Sequence, residues 1–307
     1  MTKEKLSVPE CNNVSQIFLS VETQNNAMKF RPFSLNLKGR LTEYDHPAVM
    51  GILNVTPDSF YAGSRVTGTV ELHRRVERML AQGADIIDVG GYSSRPGADD
   101  VSPEEEMARV RRGVEAIRRV SADIPVSVDT FRADVARHAV LDWGADIVND
   151  ISGGAIDSGM FPTVAELKVP YVLMHMRGTP ATMQTMTDYE DVTADVVAEL
   201  SGLMHQLELA GVADIIIDPG FGFAKTLDQN YELMRHLPQM AQLLGKPVLV
   251  GISRKSMITK LLSVTADEAL PGTVALNTFA LLNGASILRV HDVEAAVQAV
   301  RIVSRLS

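Results

Sequence analysis

A single cysteine, Cys11, in a chain of 307 residues leaves no internal disulfide to form, and a reducing compartment fits that usage. Aromatic residues make up only 5% of the chain, so its core has to be built from Met and small aliphatic side chains. No run approaches the roughly 18 apolar residues needed to cross a bilayer, and MTKEKLSVPECNNVSQ at the start lacks the apolar stretch of roughly 7–15 residues that marks a secretory signal. A cytoplasmic protein without a membrane partner is expected. Positive charge is scarce too: 29 Lys and Arg against 38 Asp and Glu leave a net charge of −9, and no basic run offers a face to nucleic acid. A small anionic substrate stays possible, because a few cations aimed into a low-dielectric cleft outweigh charge spread over the exterior.

What the chain does have is punctuation. Four short apolar runs start just after a proline: Pro47 into AVMGILN, Pro125 into VSVDT, Pro170 into YVLMH and Pro247 into VLVGIS. Four others start at a glycine corner: GADIID from Gly83, GADIVND from Gly144, GVADIIID from Gly211 and GASILRV from Gly284. The two kinds alternate, with long amphipathic segments between them, and the runs end in order on Asn54, Asp88, Asp129, Asn149, His175, Asp218, Ser253 and Arg289. Eight strands alternating with helices predict an α/β fold, a single (βα)8 TIM barrel with its chemistry at the strand C-termini. Strands about 4.8 Å apart and tilted by about 36° make a ring about 15 Å across, so eight polar ends crowd around one small ligand.

Residues 1–32, rich in Asn, Gln and Ser, read as a loosely ordered N-terminal extension, and 33–307 as the barrel domain. Phe33, Leu35 and Leu37 alternate with polar residues, Lys38-Gly39 marks a turn and Leu41 follows; a short hairpin across the barrel's N-terminal mouth is predicted. Ser102 is placed to cap a helix that begins at Pro103, carries Glu104, Glu105 and Glu106 in its first turn, and buries Met107, Val110, Val114 and Ile117. The four corner glycines sit where helices should stop.

Three strand ends carry flat polar groups: Asp129, Asn149 and Asp218. A carboxylate accepts two parallel hydrogen bonds from a planar N–H pair and an amide adds one donor and one acceptor, so the trio suits a flat heterocycle with an amidine-like edge. A second set is cationic or suited to phosphate: Asn54, the Ser94-Arg95 pair, Lys255, Arg289 and His291. Arg289 and His291 are two apart on an extended segment and share a face, so both can reach one anion. Ser253 to Ser256, reading SRKS, leads off the seventh strand into a helix start whose free N–H groups attract carboxylate or phosphate. GFGFAKT, Gly220 to Thr226, looks like a Walker A loop, but Ala224 stands where the glycine before the lysine is required. His175 has no histidine partner at i+2 or i+4, which favours a supporting role over metal ligation.

Seven motifs, GILNVTPDSF (Gly51 to Phe60), DVGGYSSRPGA (Asp88 to Ala98), SVDT, VNDISGG (Val148 to Gly154), DPGFGFAKT (Asp218 to Thr226), SRKS and RVHDV (Arg289 to Val293), together resemble the dihydropteroate synthases of folate biosynthesis, from about residue 33 onward and in the same order. That family joins 6-hydroxymethyl-7,8-dihydropterin pyrophosphate to 4-aminobenzoate with help from Mg²⁺ and releases pyrophosphate. The resemblance implies that Asp129, Asn149 and Asp218 read the pterin edge, with Lys255 on the ring's carbonyl side and Asp88 at the pocket floor. It implies Asn54 as the Mg²⁺ residue and Ser94, Arg95, Arg289 and His291 as the pyrophosphate grip, with Arg95, Lys255, Arg289 and His291 catalytic. Ser253 and Ser256 would receive the benzoate carboxylate between walls of Phe60, Pro96 and Phe223. It also implies a homodimer built from the late helices and a pocket open to sulfonamides. The loops Val55 to Thr67 and Gly91 to Val101 are expected to close over the diphosphate.

The chain departs from the family pattern at three loop positions: Ala62 where an acidic residue is usual, Tyr92 in place of a glutamate and Ser94 in place of a threonine. Two rival readings remain. A methyltetrahydrofolate-corrinoid methyltransferase could share the Asp129, Asn149 and Asp218 trio, but leaves Ser94-Arg95, SRKS and RVH without a purpose. A catalytically silent pterin-binding barrel is supported by Ala62 and Tyr92 alone.

Overall fold

The computed structural model describes residues 30–55, 65–92 and 101–306. Residues 1–29 of the expected extension, and most of the two expected closing loops, lie outside the described residues. Strands β1 (Phe33–Leu37) and β2 (Arg40–Tyr44) form an antiparallel hairpin in which Leu37 pairs with Arg40. Lys38 and Gly39 both take positive φ, +52° and +84°, the tight two-residue turn whose twist matches that of the flanking strands.

Eight further strands follow: β3 (Ala48–Asn54), β4 (Ile86–Gly90), β5 (Val126–Asp129), β6 (Ile147–Asp150), β7 (Tyr171–Met174), β8 (Ile215–Asp218), β9 (Leu249–Val250) and β10 (Ile287–Val290). All pair in parallel in the order β8-β7-β6-β5-β4-β3-β10-β9. A parallel bridge between Ile217 and Val248 joins the two ends, with the Ile217 N–H donating to the Pro247 carbonyl at 2.9 Å. The ring is therefore the expected (βα)8 barrel. Its helices are α1 (Arg65–Ala81), α2 (Pro103–Val120), α3 (Ala133–His138), α4 (Met160–Leu167), α5 (Val192–Leu209), α6 (Leu227–Arg235), α7 (Leu237–Leu244), α8 (Ser256–Leu262), α9 (Leu270–Leu282) and α10 (Val293–Val303). Among the described residues, no helix is long and apolar enough to cross a membrane.

The punctuation acts as expected. Gly83, Gly144, Gly211 and Gly284 have φ of +91°, +91°, +91° and +95°, a left-handed conformation that only glycine adopts without a steric penalty. Ser102 caps α2 by accepting the Glu105 N–H, and Pro103 opens the helix. Along α2, Gly113 lets the helix lie against the sheet, since a Cβ there would sit 2.5 Å from the Val89 Cγ1.

Inside the barrel the pleat sorts residues by depth. Ala48, Met50, Ile86, Ile147, Val172, Ile216, Leu249 and Ile287 form one apolar cluster with Leu35, Leu37 and Tyr44 of the hairpin, which plugs the N-terminal mouth. Two residues farther along their strands, on the same inward face, stand Asp88, Asn149, Asp218 and Arg289.

Several expectations are corrected at the level of single residues. Met107 is only partly buried, while its neighbour Glu106 is wholly so. Asp88, Asn149 and Arg289 do not end their strands, which run on to Gly90, Asp150 and Val290. The seventh barrel strand pairs over two residues only; beyond it, a Cβ on Gly251 would meet the Arg289 Cβ at 3.8 Å and an Asp218 carboxylate oxygen at 3.9 Å.

Candidate active site

Arg289, raised into the barrel from β10, organises the polar layer. Its Nε donates to Asp88 Oδ2 at 2.7 Å and its Nη2 to Asp129 Oδ2 at 2.5 Å, while Asn149 Nδ2 donates to the same Asp88 oxygen at 3.2 Å. The guanidinium thus joins three strands, and Asn149 brings in a fourth through Asp88. Burial works against the charge on Arg289, yet Asp88 and Asp129 hold its pKa above the usual arginine value. The carboxyl of Asp129 is pushed up to about 7, chiefly by burial; Arg289 opposes that rise, and Asp88, Glu106 and Asp150 add to it. The second Asp88 oxygen, Oδ1, is buried and has no hydrogen-bond partner among the described residues. An acceptor left so is costly unless a ligand's donor reaches it.

Asp218 and Lys255 complete the ring. The Asp218 Oδ1 accepts the Gly220 N–H at 2.8 Å, and burial raises its pKa against the pull of Lys255. Lys255 is lowered to about 8 by burial, with Asp218 opposing. Its Nζ donates to the Phe221 carbonyl at 2.7 Å and lies 4.6 Å from the centroid of the Phe223 ring. Asn54, at the end of β3, pairs in register with Gly90, which in turn pairs with Asp129; a Cβ on Gly90 would lie 3.5 Å from Asn54 Oδ1 and 3.7 Å from Asp129 Oδ2. Phe223 belongs to an apolar rim with Phe131, Ile151, Met174, Met176 and Met183.

The expected residues fall into three groups. Asp88, Asp129, Asn149 and Arg289 are joined by hydrogen bonds, with Asp218, Lys255 and Phe223 beside them. Arg289, read as an anion's partner, here lies between two carboxylates. Ser253 turns its hydroxyl to His291, accepting the His291 N–H at 3.2 Å and lying 3.3 Å from Nδ1, and Ser256, the first residue of α8, lines a cavity of about 120 Å³ with Gly222, Lys225 and Lys260. Phe60, Ser94, Arg95 and Pro96 lie outside the described residues.

Sequence reasoning passed over three supports of this site. Glu106 accepts from Thr130 Oγ1 at 2.6 Å and pairs with Arg132, bracing the loop that follows Asp129; its place one turn before Val110 on the buried stripe was the available signal. Arg254, with φ of +57°, bridges to Asp292 through Nε at 2.9 Å and Nη2 at 2.7 Å, tying the segment before Lys255 to the residue after His291. Lys225, from the motif dismissed as a Walker loop, is buried and donates to His175 Nδ1.

Comparison with known proteins gives one consistent answer. A family model described as pterin binding enzyme matches residues 50–291. The dihydropteroate synthase of Synechocystis sp. is 46% identical over 261 residues, covering 84% of this chain and 89% of that protein. Among solved structures, Xanthomonas albilineans dihydropteroate synthase with 4-aminobenzoic acid superposes with a TM-score of 0.82 at 40% identity, covering 89% of this chain and 97% of that one. The Yersinia pestis dihydropteroate synthase with a sulfonamide drug complex gives 0.81 at 39% identity, covering 89% and 98%.

Proposed function

The chain belongs to the pterin-binding enzymes, and from that membership we propose that it is a dihydropteroate synthase, joining 6-hydroxymethyl-7,8-dihydropterin pyrophosphate to 4-aminobenzoate and releasing pyrophosphate. The observation that carries the reading is the ring of buried Asp88, Asn149 and Asp218 with half-buried Asp129, Lys255 and Arg289, one Asp88 oxygen being unmatched among the described residues. A pterin's amino-pyrimidinone edge offers donors and acceptors on one plane, which is what this set can pair. Phe223 beside Lys255 supplies a flat wall for the benzoate ring, and the start of α8 at Ser256 offers free N–H groups to its carboxylate. Ser253, engaged with His291, then acts through that histidine.

The bond that breaks joins the pterin's exocyclic CH₂ to the bridging diphosphate oxygen, whose electron pair leaves with pyrophosphate. The electron-rich dihydropterin stabilises the carbon cation that results, so bond breaking runs ahead of attack by the weakly nucleophilic aryl amine, whose nitrogen then bonds to the CH₂ and sheds a proton. No side-chain nucleophile is required. Arg289, His291 and Arg95 serve by meeting the charge that grows on the leaving group. For Arg289 this requires a shift from its carboxylate partners once the pterin edge occupies them.

Mg²⁺ bound to a diphosphate takes only one or two protein oxygens and keeps waters and phosphate oxygens for the rest. Asn54, a neutral side-chain oxygen donor next to the polar ring, fits that need; the described residues hold no cluster of three acidic or histidine side chains, and this mode of binding requires none. When bound, the ion supplies positive charge to the departing diphosphate. Exposed Leu261, Leu262 and Phe279 on α8 and α9 support a homodimer through the late helices. The test is pyrophosphate release from purified protein, Mg²⁺, the pterin pyrophosphate and 4-aminobenzoate. Turnover that depends on both organic substrates is expected; pyrophosphate release no faster with 4-aminobenzoate than without it, or none at all, rejects the synthase.

A further inference from the structure

The turn that brings Phe223 to Lys255 is left-handed at three residues, and at one of them, Ala224, the residue type resists it. Gly220, Gly222 and Ala224 have φ of +70°, +84° and +49°, three left-handed residues within five, one of them carrying a Cβ. A Cβ at Gly220 would fall 1.9 Å from the His175 carbonyl oxygen, so the turn is pressed against the exit of β7. Such a segment persists only where its surroundings over-determine it.

The surroundings do so through one buried amine. Lys225 Nζ lies 3.0 Å from each of the Gly220 carbonyl, the Phe223 carbonyl and His175 Nδ1; burial lowers its pKa to about 7, with Asp218 opposing, and in the ammonium form its three protons match these three acceptors. Because the ammonium donates to Nδ1, the His175 proton sits on Nε2, which donates to Glu199 Oε2 at 3.0 Å. Glu199 also accepts from Arg177, whose guanidinium lies 3.8 Å from the centroid of the Tyr189 ring, and the Tyr189 hydroxyl donates to the Ala224 carbonyl at 3.0 Å. The chain of contacts closes on itself: from Ala224 through Tyr189, Arg177, Glu199 and His175 to Lys225, the next residue along. Burial and Lys225 lower the pKa of His175 to about 4, which keeps it a neutral acceptor.

We propose that Lys225, oriented by His175 and Glu199, is a positioning residue that fixes the Gly220–Ala224 turn in the shape that presents Phe223 and the Lys255 amine to the substrates. This rests on the synthase reading. Lys225 lines the cavity at Ser256, yet its amine is spent on the turn, so it acts through Phe223 and Lys255. The tie to Lys255 is direct, since Lys255 Nζ donates to the Phe221 carbonyl in the middle of the turn, 2.7 Å away. Glu199 earns its place by fixing the histidine tautomer, without which Nδ1 would present a proton to the ammonium.

Steady-state constants for both substrates and hydrogen exchange of the turn amides test this on full-length protein. Lys225→Met is expected to raise the KM for 4-aminobenzoate by about tenfold with kcat falling less than about threefold, a split that a simple loss of folded enzyme cannot produce. His175→Leu, which removes the acceptor, should reproduce that split, and His175→Gln, whose amide restores an acceptor and a donor, should stay within about threefold of the native KM. Folded Lys225→Met and His175→Leu proteins with native KM values would overturn the proposal. Should both fail to fold, Glu199→Leu on the outer helix, which leaves His175 Nε2 without an acceptor, decides: a KM raised by about threefold or more supports the tether, and unchanged constants overturn it. Exchange of the Gly222 to Ala224 amides, expected to quicken by about tenfold in Glu199→Leu or Lys225→Met, needs no turnover. Unchanged exchange overturns the tether even in an active enzyme, while native protein that releases no pyrophosphate defeats the functional reading separately.

Discussion

Replacing Asp129 by asparagine should make the protein more stable at pH 8 and almost inactive. Asp129 ionises at about 7 in the folded chain, against 3.8 as the ordinary value, because burial and the nearby Asp88 and Glu106 outweigh the attraction of Arg289. Between those two values the folded chain keeps a proton that the unfolded chain releases, so stability falls as pH climbs through the interval and the deficit is complete above it. A shift of that size corresponds to about 4 kcal/mol as an upper bound. The amide still accepts from Arg289 Nη2, now at 2.5 Å from Asp129, and the attraction it gives up is already contained in that shift. The balance is a gain of up to about 4 kcal/mol at pH 8 that vanishes toward pH 4, read by urea unfolding at both values. The same change removes an acceptor from the expected pterin edge, and kcat/KM should fall by about 100-fold or more. A variant less stable than the native protein at pH 8, by the same margin at pH 4, would show that the Asp129 charge is a net contributor to the fold and refute the reasoning.

Gly113→Ala should destabilise by about 1–3 kcal/mol in urea, because the new Cβ would sit 2.5 Å from Val89 Cγ1 and 3.0 Å from Val55 Cγ2; an unchanged midpoint would mean α2 can lift from β4 freely. Asn54→Ala should raise the Mg²⁺ concentration for half-maximal turnover by about tenfold, with chelation abolishing turnover in the native enzyme; identical metal titrations in the two proteins would count against Asn54 as the ligand. A sulfonamide should raise the apparent KM for 4-aminobenzoate and leave kcat alone, whereas a fall in kcat at constant KM would place the drug away from the benzoate pocket.

The barrel was legible because its boundaries are local. A proline before a strand or a left-handed glycine after a helix acts within two or three residues, and Gly83, Gly144, Gly211 and Gly284 adopt the conformation their positions imply. The chemical types at the site were legible for the same reason. What escaped was every property that depends on partners remote in the chain. Arg289 bonds to carboxylates 201 and 160 positions away, and nothing near Arg289 distinguishes a guanidinium held between Asp88 and Asp129 from one free to meet an anion. Glu106 looked like one of three acids suited to a helix N-terminus, although only its place on the buried stripe, completed by Thr130 and Arg132, explains why it is the one drawn inside.

The two readings meet in the pleat of the strands. Ile86 and Asp88, Ile147 and Asn149, Ile216 and Asp218, Ile287 and Arg289 are inward neighbours two residues apart, so each strand contributes one side chain to an apolar layer sealed by the hairpin and the next to the polar layer above it. The upper layer is expensive: buried Asp88 and Asp218 and half-buried Asp129 face the two cations Arg289 and Lys255, and ion pairs of this depth seldom repay their desolvation. The lower layer and the helix-facing sides of the same strands supply what the upper one consumes, since burying apolar surface stabilises by about 25 cal/mol per Å². A one-residue slip of any strand would exchange the two faces, bringing charge against the helices and hydrocarbon to the substrate. The register that keeps the barrel folded is thus the same register that assembles the site, which is why Asn54, Gly90, Asp129 and Asn149 stand beside one another across four successive strands.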